Sequence, residues 1–154
     1  MVIFLWVILL TTSLCAHDEI MVTSDAAVIE SDTEKTIIEY CKNVIISIAA
    51  DQKISGTRAI TIAKGNEQPR YILVENPIAH TSESILRSKK IFFDTLQERI
   101  HAIKEARLQY KTVTGRYTIS ANNIILSPNN MQCVAHGSPK NPAVTHICIS
   151  KRSE

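Results

Sequence analysis

Apolar residues in this chain of 154 residues recur with two different periods, and the periods divide it into elements. Over residues 25–43, Ala26, Ile29, Thr33, Ile37, Tyr40 and Val44 return every three or four positions, and Ile38, Cys41 and Ile45 widen the stripe. That spacing places one apolar face on a helix. Ser31-Asp32-Thr33-Glu34 has the form of a capping box, in which a serine oxygen accepts from the N3 amide while the glutamate reaches back to the cap. A second helix is predicted from about Ser82 to Tyr110, opened by Thr81-Ser82-Glu83-Ser84. Its inner face carries Lys89, Phe92, Leu96, Ile100 and Ile103, with Arg87, Lys90, Glu98, Lys104, Glu105 and Arg107 outside.

Between the helices the period changes to two. Alternation puts Val44, Ile46 and Ile48 on one face and Ser47 and Asp51 on the other in a β-branched run, although the same residues also continue the helical stripe. A polar segment from Asp51 to Gly56 follows, then Thr57 to Ala63, a turn cluster from Lys64 to Pro69, and the apolar run Tyr71-Ile72-Leu73-Val74. These read as an antiparallel meander, with a hairpin over 44–63 and a break at Asn76-Pro77. Beyond Gly115 come short strands at 117–120 and 124–126, then a closing hairpin over 131–151 whose tip, Gly137-Ser138-Pro139-Lys140-Asn141-Pro142, is rich in proline. The fold class is therefore α+β: an antiparallel sheet of about five to seven short strands covered by two helices.

The ends add a compartment. Met1 to Ala16 contains no charge and holds a continuous apolar run from Val2 to Leu10, too short for a membrane span of roughly 20 residues and matching the core of a secretory signal peptide. Residues 1–16 are thus expected to be a signal peptide and 17–154 one exported domain, secreted or periplasmic, with no stable membrane insertion after cleavage. Six acidic residues precede the first lysine, Lys35; from Lys35 onward stand 17 basic and nine acidic residues. The cations are spread along the chain and are not interleaved with aromatics, which argues against a nucleic-acid face. With four glycines in all, the chain has no phosphate-cradling loop and no dinucleotide fingerprint.

Cysteine and histidine placement supplies the candidate chemistry. If the last hairpin is symmetric about residues 140 and 141, Cys133 lies opposite Cys148, and a disulfide there contributes about 3 kcal/mol by restricting the unfolded chain. The run Cys133-x-x-His136…His146-x-Cys148 also holds zinc-ligand residue types, but strand alternation turns Cys133 and His136 to opposite faces, so no metal and no cofactor is expected. No nucleophile stands beside an orienting base in any recognisable frame, and the chain reads as non-enzymatic.

Gln52-Lys53-Ile54-Ser55-Gly56 resembles the Gln-x-Val-x-Gly hairpin of cystatins, inhibitors of papain-like cysteine proteases, with Ile54 for valine. Glu39-Tyr40-Cys41-Lys42-Asn43 is similar to the end of that family's helix, and the Cys133–Cys148 hairpin to its closing one, though the second tip lacks the family's Pro-Trp. The resemblance implies a wedge formed by Gln52, Ile54 and Gly56 with Pro139 and Lys140 of the second tip, bound to a protein partner such as a host cysteine protease. On this reading the chain is a secreted bacterial effector. The alternative is an envelope or periplasmic interaction protein that works through the exposed face of the helix over 82–110.

Overall fold

The computed structural model describes residues 20–65, 67–128 and 132–149, so the expected signal peptide lies outside the described residues. It overturns the α+β expectation: 72% of the chain is strand, and no α-helix occurs among the described residues. Twelve strands follow in order: β1 (Met21–Thr23), β2 (Ala26–Ser31), β3 (Lys35–Ala49), β4 (Gln52–Lys64), β5 (Tyr71–Glu75), β6 (Ile78–His80), β7 (Ser84–Arg87), β8 (Lys90–Asp94), β9 (Arg99–Thr112), β10 (Gly115–Ser127), β11 (Gln132–His136) and β12 (Val144–Ile149). The first predicted helix is β2 and β3, and the second is β7, β8 and β9.

The residues that signalled helix starts are the reason for the error, because a side-chain oxygen that caps a helix closes a tight turn equally well. Asp32 Oδ1 accepts from the amides of Glu34 and Lys35, both at 2.8 Å, and turns β2 into β3. Thr81 Oγ1 accepts from the amides of Glu83 and Ser84 and turns β6 into β7. The amides of Lys35 and Glu34 hold the Asp32 carboxyl below the usual carboxylate range.

All pairings are antiparallel and join segments that are close in sequence. The four long strands β3, β4, β9 and β10 each pair along their length with collinear short strands: β1 and β2 lie along β3, β5 and β6 along β4, β7 and β8 along β9, and β12 and β11 along β10. The chain therefore makes eight passes in a simple up-and-down meander. The hairpin expected over 44–63 is present as β3 and β4, with a tighter tip, since Ala49 pairs with Gln52.

Each pass is interrupted at one level. The register places Ser24-Asp25 beside Lys42-Asn43, then Thr57, Asn76-Pro77, Ser88-Lys89, Lys104-Glu105, Asn122 and finally residues 137–143, so the irregularities form one crease across the whole sheet. Main-chain bonds carry the ladder through it: the amides of Asp25, Asn76 and Lys89 donate to the carbonyls of Lys42, Lys89 and Lys104 at 3.1, 3.0 and 3.1 Å. Of the six non-glycine residues with positive φ among the described residues, five lie on this line: Lys42, Asn43, Asn76, Lys104 and Glu105. Asparagine tolerates that region, whereas a lysine there is strained by roughly 1–2 kcal/mol. Lys104, exposed with φ 64°, is the position to relieve. Lys104→Gly is expected to stabilise the fold by about 0.5 kcal/mol, strain relief exceeding the cost of glycine's extra freedom, and urea denaturation checks it.

The crease explains how one sheet makes a core. A regular strand keeps odd and even residues on opposite faces, so an extra residue reverses them. In β4 the buried positions change from Ile54 to Ala59 and Thr61, and in β10 from Ala121 to Ile124 and Leu126. The bend and the reversal together fold the sheet inward. One half-sheet, A, holds β1, β6, β7, β12 and the adjoining parts of the long strands; the other, B, holds β2, β5, β8, β11 and the rest. Their inner faces share a single core in which Ile46, Ile54 and Leu86 of half A and Val74, Ile91 and Phe93 of half B are fully buried.

Candidate functional site

Several anticipated site residues belong to the scaffold. Ile54 pairs with Ile46 and is fully buried, and Gly56 lies within β4, where the chain passes close to β5. A Cβ at Gly56 would overlap Val74 Cγ1 and stand 2.8 Å from the Glu75 carbonyl oxygen. Gln52 sits at the start of β4, half-buried, so the segment 52–56 is strand interior and forms no projecting tip. With it goes the projecting wedge on which the protease-inhibiting effector rests.

Pro139 and Lys140 are exposed in the segment between β11 and β12, which is not a hairpin. Both strands run along β10, one on each side of the crease: Cys133 pairs with Leu126 and Cys148 with Arg116. Ten residues of strand, about 33 Å along β10, separate those two positions. A disulfide needs Cα atoms within about 7 Å, and Cys133 is a free thiol whose pKa is pushed up by desolvation. Proline interrupts the ladder at 137–143, but the chain then rejoins the same neighbour.

What the sequence reading missed are the edges. Among the described residues, β1 and β2 leave one side of the sheet unpaired, and β11 and β12 leave the other. Natural sheets guard such edges with lysine, proline, bulges or cover. Here the four edge strands contain one charged residue, Glu30, and five large exposed apolar residues: Met21, Val28, Ile29, Val134 and Val144, each 42–50% exposed. Val28 and Val134 lie on the same row of the outer face of half B, which runs Val28, Glu39, Ile60, Leu73, Phe92, His101, Ile125, Val134 through the successive pairings. On the inner row Ile29 and Cys133 remain exposed, so the core is accessible at both edges.

Direction matters as much as exposure. With eight passes, the first and last run oppositely in each half-sheet. A second copy displaced sideways therefore presents β11 to β2 and β12 to β1 in antiparallel sense, with the creases in one line. Unpaired main-chain donors and acceptors on both sides then complete the ladder.

Among the described residues, ion pairs lie on half B or at the crease. Arg58 bridges Glu39 at 2.6 Å and Glu75 at 3.8 Å, Arg70 meets Asp94 at 3.5 Å, and Lys89 meets Glu105 at 2.6 Å. The Arg58 guanidinium holds the Glu39 carboxyl below its ordinary range. No group of three or more histidine, cysteine or acidic residues is placed to hold a metal among the described residues.

An open antiparallel meander, folded on a crease over one apolar interior, is the LptA-like fold. One solved example is LptH from Pseudomonas aeruginosa, the LptA homologous periplasmic component of the conserved lipopolysaccharide transport device. It superposes with a TM-score of 0.65 over 85% of this chain and 96% of its own, at 15% identity, a likeness of fold. No protein-family model and no curated protein sequence matches the chain.

Proposed function

We propose that this chain is a periplasmic, non-enzymatic bridge component that carries lipopolysaccharide, with copies joined edge to edge and acyl chains held against the interior between the half-sheets. The observation that carries the reading is the pair of unguarded apolar edges, opposite in direction, on a fold shared with a periplasmic lipopolysaccharide-transport component. Edge joining aligns the creases, so the interiors of successive copies abut and form one apolar path. The exposed inner residues Ile29 and Cys133 stand where that path crosses a joint. The envelope alternative thus survives in a different form: sheet edges take the place of the expected helical face.

Lipopolysaccharide itself is the test. A ligand that binds only the folded state at a hundred times its Kd contributes about 2.7 kcal/mol, which for a domain of this size raises Tm by roughly 10 °C. Addition of purified lipopolysaccharide is expected to produce that rise in a calorimetric melt. An unchanged Tm at saturating lipid, with the protein folded, contradicts the carrier role.

A further inference from the structure

The two outer faces differ in kind. Lys53, Arg87, Arg107, Lys111 and Arg116 all occupy outward positions of half A and are all exposed. None of them has an ion-pair partner among the described residues, and the one acidic residue beside them in the ladder, Glu83 next to Lys111, accepts from the Tyr110 hydroxyl. Arg87 lies directly opposite Arg107, and Lys111 directly opposite Arg116. Like charges facing each other across a ladder are destabilising. Arg87 donates at 3.5 Å to the neutral Gln109, which relieves none of the repulsion. The cations come from four strands, β4, β7, β9 and β10, and the fold gathers them on one surface.

Between them the face is aliphatic. Ile45, Ile78 and Ile85 share it, Ile78 pairing with Arg87. A groove of about 320 Å³ lined by Asn43, Ile45, Ser55, Asn76 and Ile78 opens beside that pair at the crease. No phenylalanine, tyrosine or tryptophan stands at the described outward positions of half A, where His80 is the one ring, so the face lacks the row of aromatic platforms on which successive nucleic-acid bases stack. Clustered cations interspersed with aliphatic side chains match the phosphates and first methylenes of a lipid surface.

We propose that the outer face of half A docks on an anionic membrane surface, through Arg87, Arg107, Lys111 and Arg116. It lies outside both the interior and the edges, so the inference does not rest on the transport reading. The probe is sedimentation of the purified protein with vesicles of phosphatidylcholine and phosphatidylglycerol in equal parts, against phosphatidylcholine alone. Binding is expected to favour the anionic vesicles and to be lost in molar sodium chloride, where the screening length shrinks to about 3 Å.

Each cation near such a surface is worth about fivefold in binding, so Arg87→Ser/Arg107→Ser is expected to weaken it about 25-fold. The same variant removes a like-charge pair, so its Tm should hold or rise, which separates lost docking from lost folding. Arg99→Ser/Lys64→Ser on half B is expected to bind as the parent does. Equal binding to both vesicle types overturns the proposal, as does an undiminished affinity in the Arg87/Arg107 variant, or retention on DNA without retention on vesicles.

Discussion

Val28→Lys is expected to leave the protein folded and to weaken its self-association roughly tenfold, because it removes the apolar Val28–Val134 pair at the joint and a lysine on an edge strand opposes edge-to-edge pairing. Val28 is 42% exposed on the outermost strand and touches the core from neither side of the crease, so the substitution creates no cavity. Val134→Lys, on the opposite edge and 50% exposed, is expected to have the same effect. Equilibrium sedimentation of each variant beside the parent measures it. Because the two residues lie far apart on one molecule, a joint between unlike edges requires both, whereas a joint between like edges requires only one.

Gly56→Val is expected to cost about 3 kcal/mol or more, the upper range for forcing extra methyl groups into a packed site. Its Cβ would enter the space of Val74, itself fully buried, and crowd the Glu75 carbonyl where β5 ends at the crease. Gly65 is the contrasting position. It has φ 55° and nothing within 4 Å of an added Cβ, so Gly65→Ala costs only the backbone strain, roughly 1 kcal/mol. Urea denaturation of the two variants orders them. A Gly56 variant as stable as the parent would mean that the close approach of β4 to β5 is not part of the fold.

Legibility in the sequence followed the local physics. The meander over 44–75 could be read because its strands alternate cleanly between short polar turns, and Asn76-Pro77 broke the ladder where expected. The helices were misread because the crease resets alternation partway along every pass. In β9 the buried residues run Ile100, Ala102, Ala106 and Leu108, and the step of four across Lys104-Glu105 has helical spacing. Asp32 and Thr81 then supplied turn bonds that mimic caps. A window shorter than half a pass shows period two on either side, which is the signal that was available.

The interaction surfaces were less accessible still. Edge strands are defined by what lies beside them, and nothing within Ala26–Ser31 or Gln132–His136 says that no strand follows. The basic face needs the register as well, since Arg87 and Arg107 meet only through the β7–β9 pairing. Without the register, those cations read as solvated surface. Cys133 and Cys148 erred in the opposite direction, because symmetry about residues 140 and 141 suggested a hairpin where the chain runs straight on along β10.

Head-to-tail joining of unlike edges, as proposed, can be tested by sedimentation of an equimolar mixture of Val28→Lys and Val134→Lys protein. The first variant keeps a usable β11–β12 edge and the second a usable β1–β2 edge, so each alone should be monomeric and the mixture should form heterodimers that grow no further. A mixture that stays monomeric while the parent assembles, or either variant forming dimers by itself, would contradict the account.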